Sequence, residues 1–232
     1  NDSTAIVFDM SSVFLGDNKE MSPFDKNSIY GMYNRTENYQ SDCSYISQIK
    51  AFKDNVSIKS CLSYTFSVSN SQGTSLIKDR PFTAEMTRSI MLLKEKPYRP
   101  RMADYRIGVF FTGREQLGEG AKTTVPVYYA NRWDIQPSDT AAYLRGEKVK
   151  PTKQIVFYID NTFPEKWKPY LREGVTQWNE LFEQIGFKDV VAAKDFPTDD
   201  PEFDPDNIKY SCVRYAPSSI ENAMGPSWVD PR

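Results

Sequence analysis

The chain has 232 residues, 39% hydrophobic and 26% charged, a globular balance with enough length for one large core or two small ones. Its 29 basic and 31 acidic side chains are interleaved to a net charge of −2, so no basic stripe exists to neutralise phosphates and no nucleic-acid partner is expected. There is no histidine, which removes Ser-His-Asp and Cys-His triads and every His-containing zinc site.

No run approaches the ~20 apolar residues of a membrane-spanning helix, so no span is expected. No signal-peptide pattern stands at Asn1, and the start reads as a processed end or a boundary. Cys43, Cys61 and Cys212 show neither a CxxC pair nor metal-ligand spacing. Buried thiols are expected, with a Cys43–Cys61 bridge as the alternative.

The first half reads as antiparallel β. Ala5–Met10 is a short strand candidate, 27–42 a loop, and 44–52 a short helix or irregular turn. The clearest strand follows: Val56, Ile58, Leu62, Tyr64, Phe66 and Val68 occupy even positions, with Ser60 as the exception, while the odd positions carry no large apolar group. Strict alternation puts the two sets on opposite faces of a half-buried antiparallel strand. Asn70-Ser-Gln-Gly-Thr74 supplies a turn and Phe82–Leu93 the returning strand of a hairpin. The prolines of Lys96-Pro-Tyr-Arg-Pro-Arg101 form a breaker. Strands are expected at 105–112 and 124–130, then one capped helical turn over 137–146 with Ser138 or Asp139 as the cap. Pro151 marks the expected domain boundary within 148–153.

Beyond it, Gln154–Asp160 (QIVFYID) is a continuous apolar run, as in a central strand covered on both faces. Thr162-Phe-Pro-Glu165 fits a capping box. It opens a helix whose apolar stripe is Trp167, Leu171, Val175, Trp178, Leu181, Phe182 and Ile185, with Pro169 in its first turn and Gly186 just past its end. Both tryptophans are expected in the core. Short strands are expected at 189–193 and 209–215, and an extended segment over 222–230. The fold class is therefore α+β: a β-rich module over 1–148, then a strand–helix–strand–strand unit over 149–232.

Several constellations point to chemistry only weakly. Asp199, Asp200, Glu202, Asp204 and Asp206 could pair carboxylates at the roughly 5–10 Å of a glycosidase or offer oxygens to calcium, but they crowd one proline-rich loop without apolar backing and read as solvated. No S-x-x-K stands out for Ser-Lys hydrolysis. Trp133, in a polar stretch, is the better candidate for an exposed aromatic, although packing is the favoured reading for it too.

The runs Ser44-YISQIKAFKDNV, Leu92-LKEKPYRPRMADYRIGVFF, Asn131-RW, Lys153-QIVFYIDNTFPEKWKPYLREGVTQWNELFEQIGF-Lys188, Asp189-VVAAKDFP, Tyr210-SCVRYAP and Asn222-AMGPSWVDPR together resemble the zinc-dependent, metzincin-like metallopeptidases of Bacteroidetes. That resemblance implies a secreted, periplasmic or cell-envelope protein whose parent hydrolyses peptide bonds with zinc-activated water. The family's H-E-x-x-H-x-x-G-x-x-H helix has no counterpart here, so this chain is expected to stop short of it. No catalytic residue, metal ligand or cofactor is assigned to this chain; zinc belongs to the full-length parent. The implied partners are the downstream catalytic half of the same polypeptide and a peptide or protein substrate.

The same comparison makes Ala223, Met224, Gly225, Pro226 and Ser227 the expected substrate-cleft residues, on a sheet edge that takes extended peptide by strand addition. It also makes Asp104 and Cys43 conceivable zinc-blocking donors, although no spacing supports either. The expectation is a non-catalytic portion of a zinc endopeptidase. The alternative is a free-standing envelope module that binds peptide or glycan.

Overall fold

The computed structural model describes residues 6–7, 9–18, 21–24, 33–95, 99–118, 120, 122–217 and 223–225. It is an α+β fold, 39% strand and 15% helix among the described residues, with mostly antiparallel pairing. The residues divide into two compact units, 1–92 with 206–208, and 93–205 with 209–232. This is a different division from the one drawn at Pro151. Val149, beside that proline, lies in the core of the second unit together with Ile155, Phe187 and Val190.

The first unit opens on a short helix α1 (Ser11–Leu15). Its sheet is built on β3 (Asn55–Asn70), which pairs on one side with β1 (Tyr33–Tyr39) and β2 (Tyr45–Ala51) and on the other with β4 (Ser75–Met91). All pairings are antiparallel. The alternation in β3 orders the faces as expected. Ile58, Leu62 and Tyr64 share a face with Phe82 and Arg88 of β4, because Tyr64 pairs with Phe82 and Ile58 with Arg88. The amino-terminal half of the strand is covered on both faces rather than one, since Asn55, Ser57 and Cys61 on the odd side are buried too.

The hairpin turn is held by the Asn70 side chain, which accepts from the N–H groups of Gln72 and Thr74 at 3.0 and 2.8 Å, with Gly73 at φ +83°. Along β4, Asp79 takes φ +47° where the register against β3 shifts.

Three expectations in this unit are overturned. The described part of 5–10 contains no strand; Asp9 accepts from the N–H of Ser11 and turns the chain into α1. The predicted loop at 27–42 contains β1, and 27–32 lie outside the described residues. Asn34, Arg35, Thr36 and Glu37 give β1 no apolar signature, so its ladder to β3 is what makes it a strand. The segment 44–52 is β2, not a helix. A bulge between Ile46 and Gln48 sets Ile46 opposite Ser60 and Ile49 opposite Ile58, so a three-residue spacing serves one sheet face.

In the second unit, β5 (Phe111–Gln116) and β6 (Val125–Ala130) form a hairpin. The strand expected at 105–112 begins only at Phe111, because Asp104 accepts from the Arg106 N–H at 3.0 Å and turns the preceding chain. Helix α2 (Thr140–Leu144) is capped as expected, by Asp139 accepting from the Ala142 N–H at 2.9 Å.

A three-stranded parallel sheet follows, in the order β8 (Val191–Asp195), β7 (Ile155–Ile159), β9 (Ser211–Val213). Two helices, α3 (Lys168–Thr176) and α4 (Asn179–Gln184), connect β7 to β8. The single helix expected here is thus broken at Gln177 and Trp178. The capping box does not form either: Thr162 donates its hydroxyl to Asp160 at 2.8 Å, and α3 starts at Lys168 with Pro169 in its first turn. Gly186 closes α4 at φ +88°, where a Cβ would stand 2.9 Å from the Tyr143 ring. Among the described residues no helix is long and apolar enough to cross a membrane.

Candidate functional site

In open sheets with parallel strands, ligands and functional loops gather at the carboxyl ends of the strands. Here that end is organised by Asp160, the residue after β7 and only 7% exposed. Its N–H donates to the Val213 carbonyl at 3.0 Å, continuing the ladder to β9. Its Oδ1 accepts from the N–H and hydroxyl of Thr162 at 2.9 and 2.8 Å, and its Oδ2 from Arg214 Nε at 3.2 Å. Burial by itself would raise the Asp160 pKa. The bonds from Thr162, a bond from the Tyr215 N–H and the Arg214 charge outweigh it and hold the carboxyl below its ordinary value. The carboxylate clamps β9 and the chain after it to the central strand.

Around this clamp the side chains are aromatic. Phe163 and Trp167 lie against Tyr215, with ring centroids 5.1 and 6.0 Å away. Tyr158, Phe196, Phe203 and Tyr210 form a second cluster, with Phe203 at 4.7–5.2 Å from each of the others. Phe203 therefore pins the acidic loop that the sequence alone read as solvated. Within that loop Asp200 accepts from the Glu202 N–H at 2.9 Å, and Asp206, itself part of the first unit, pairs there with Lys50 at 2.7 Å. Cys212 on β9 is half-buried, and desolvation pushes its thiol up to about 11.

The amino end of β8 is fixed by Asn179 of α4. Its Oδ1 accepts from the N–H groups of Val190 and Val191 at 2.9 and 2.8 Å, and its Nδ2 donates to the Val191 carbonyl at 2.8 Å. Leu171, Val175 and Phe182 are half-buried, and Val175 and Phe182 pack on the core. The remaining members of the predicted stripe do not. Trp178 is 60% exposed, and Trp167, Leu181 and Ile185 are also exposed, as is Tyr170. The expectation that both tryptophans are core residues is corrected: the stripe spans about 120° of the helix at 100° per residue, and the sheet covers only one side of it. An open depression at the break is lined by Gln177, Trp178, Glu180 and Leu181.

The five sequence-derived cleft residues are only partly placed. Ala223, Met224 and Gly225 are exposed and outside any strand, with Met224 79% exposed, while Pro226 and Ser227 lie outside the described residues. Asp104 is bound by Arg106 Nε at 2.9 Å, and Cys43, Cys61 and Cys212 are all free thiols. Trp133 is exposed, with its ring edge-on to Phe157. The chain has no histidine, and no group of three or more Cys, Asp or Glu side chains among the described residues could hold a metal ion. These residues do not fit a zinc centre.

Sequence reasoning missed the clamp at Asp160. Its signal was a carboxylate directly after a wholly apolar strand, which demands partners.

Fold and site together describe an α+β protein whose parallel sheet is tied together at its carboxyl end by Asp160. The chain belongs to the family described as "Domain of unknown function (DUF5117)", which matches residues 1–138, more than half of its length. No curated protein and no solved structure matches it.

Proposed function

We propose that this chain is a non-catalytic portion of a secreted or envelope-associated zinc-dependent metallopeptidase. It supplies the module upstream of the catalytic domain and the first strands and helices of that domain. The hydrolytic zinc is held by residues elsewhere in the same polypeptide, and none is assigned here. Substrate is peptide or protein, and 223–227 remain the cleft candidates.

The observation that carries this reading is the exposed flank of α3 and α4. Tyr170, Trp178, Leu181 and Ile185 stand beside the sheet-facing side chains, where a neighbouring helix of the same layer would pack. Apolar flanks of this size on a layered α/β fold are covered by a partner element. β8 and β9 each pair only with β7 among the described strands, so both sides of the sheet offer ladder groups for further strands. The resemblance of residues 153–232 to metzincin-like peptidases says which kind of protein would supply those elements.

The test is the polypeptide translated from the whole reading frame. Chelator-sensitive, zinc-restored cleavage of an unstructured protein substrate is expected. So is protection of Trp178 and Leu181 from hydroxyl-radical footprinting, relative to residues 1–232 alone. A frame without an H-E-x-x-H pattern, or no cleavage by folded protein, would overturn the reading. The envelope peptide- or glycan-binding module would then take its place.

A further inference from the structure

The second unit carries an apolar surface separate from the α3–α4 flank. The chain entering β5 reads Tyr105-Arg-Ile-Gly-Val-Phe-Phe111, and its large apolar side chains face solvent rather than a core. Tyr105 is 98% exposed and Phe110 87%, and Ile107, Phe111, Met102 and Tyr128 are exposed as well. The Phe111 ring stands edge-on to Tyr128, with centroids 5.1 Å apart. The segment is held by its own chemistry. Asp104 accepts from the Arg106 N–H at 3.0 Å and from its Nε and Nη2 at 2.9 and 2.5 Å, and the Ile107 N–H donates to the Asp104 carbonyl at 3.0 Å. A pinned turn therefore presents a protruding apolar tip, and contiguous apolar surface of this kind marks a site of interaction.

Positive charge gathers at the root of that tip. Arg132 Nη2 donates to the Arg99 carbonyl at 2.7 Å. The Ala130 N–H donates to the Arg101 carbonyl and the Asn131 N–H to the Phe110 carbonyl, both at 2.8 Å. Three stretches distant in sequence, 99–101, 110–111 and 130–132, thus meet at one corner. The charged side chains over 99–112 and 128–132 are Arg99, Arg101, Arg106 and Arg132 against Asp104 alone, and Arg106 already engages Asp104. The next carboxylates along the chain do not cancel this excess. Glu115 stands beside Arg114 and accepts from Thr124, and Asp134 accepts from Gln136. Arg99 and Arg101 are exposed and form no ion pair among the described residues. In a chain of net charge −2, this corner is locally cationic.

We propose that the corner docks the protein on an anionic lipid surface. The tip enters the boundary between headgroups and acyl chains, and the arginines meet lipid phosphates. The inference does not rest on the peptidase reading. Aromatic and aliphatic side chains partition into that boundary, and arginine lays its stem along apolar surface while its guanidinium stays at headgroup level. Side chains as exposed as Tyr105 and Phe110 form no shaped recess for a protein to match, whereas lipid moulds around them. The unbalanced arginines select anionic over neutral lipid. Only a few side chains insert, so the attachment is peripheral and reversible.

The test is co-flotation of the full chain with two kinds of vesicle, phosphatidylcholine alone and equal parts phosphatidylcholine and phosphatidylglycerol. Binding to the anionic vesicles is expected, with little on the neutral ones and release as salt rises. Phe110→Ser should weaken binding about tenfold, and Arg99→Gln and Arg101→Gln about fivefold each. Leu144→Ser, at a similarly exposed apolar position on α2, should change nothing. Circular dichroism melting establishes that each variant is folded. No binding to anionic vesicles, equal binding to both kinds, or binding indifferent to Phe110 and both arginines overturns the proposal. So does an oligomer that Phe110→Ser converts to monomer without any lipid binding, which would make the corner a contact between copies. Hydroxyl-radical footprinting of the unmodified chain needs no variant. Anionic vesicles should protect Tyr105 and Phe110 and leave Trp178 and Leu181 labelled as in the free chain. Protection of Trp178 and Leu181 in place of Tyr105 and Phe110 would put the lipid on the α3–α4 flank and also overturn the proposal.

Discussion

The antiparallel sheet of the first unit and the parallel sheet of the second solve the same problem with opposite means. In β1–β4 the order comes from the ladder. β3 and β4 pair over nearly their whole length through a tight turn, and polar strands such as β1 are recruited because β3 has hydrogen bonds left to share. In β8–β7–β9 the ladders are short, and side chains do the holding: Asn179 ties β8 to α4, and Asp160 ties β9 to β7. A long hairpin is cooperative by itself. A short parallel sheet needs a crossover and specific polar anchors, because its neighbours are distant in sequence.

The contrast can be broken first at the centres of the two sheets. Leu62 and Ile159 are each 0% exposed. Leu62→Ala and Ile159→Ala should each cost about 2–5 kcal/mol in denaturant unfolding, the transfer and cavity cost of a fully buried aliphatic. A loss below about 1 kcal/mol at either site would mean that the core there is not close-packed. Asn179→Ala comes next. It removes three hydrogen bonds and leaves two buried N–H groups without an acceptor, so a loss of about 2–3 kcal/mol is expected, with β8 amides exchanging fastest. An unchanged exchange profile would show that the ladder alone holds β8.

Asp160→Asn sharpens the comparison through pH. A carboxyl whose folded pKa is depressed stabilises the fold above its unfolded value and loses that contribution as pH falls through the folded one. The Asp160 contribution should therefore be complete above about pH 5 and fade below about pH 4. The unmodified chain should lose stability over that window, and Asp160→Asn, about 1–2 kcal/mol weaker at neutral pH, should show a shallower acid slope. Parallel acid slopes for the two chains would refute the clamp. The smallest effect is expected at Ser60, which is 0% exposed with a hydroxyl lacking any partner. Ser60→Ala removes that unmet group, so melting should show a change between zero and a gain of about 1 kcal/mol.

The part of this protein determined by its sequence is the part where a pattern and its partner are close together. The alternation of β3, the turn at Asn70–Thr74, the returning β4, the Asp139 cap, the apolar run of β7 and the glycine at 186 are all local chemistry. The structure shows each of them, with β4 starting at Ser75 rather than at Phe82. The α+β class follows from the same local signals. Tertiary structure alone decided the rest. β1 is a strand only because β3 is there to pair with it, and β2 reads as a short helix or irregular turn until a bulge explains its three-residue spacing. The helix stripe over 167–185 was legible as apolar, but a periodicity counts apolar residues without saying how many of them one sheet can cover. Trp178 is left outside by the width of the stripe, and the clamp at Asp160 depends on Arg214, fifty-four positions away. Local propensity reaches a few residues; a ladder partner or an ion pair at that separation exists only once the chain has folded back on itself.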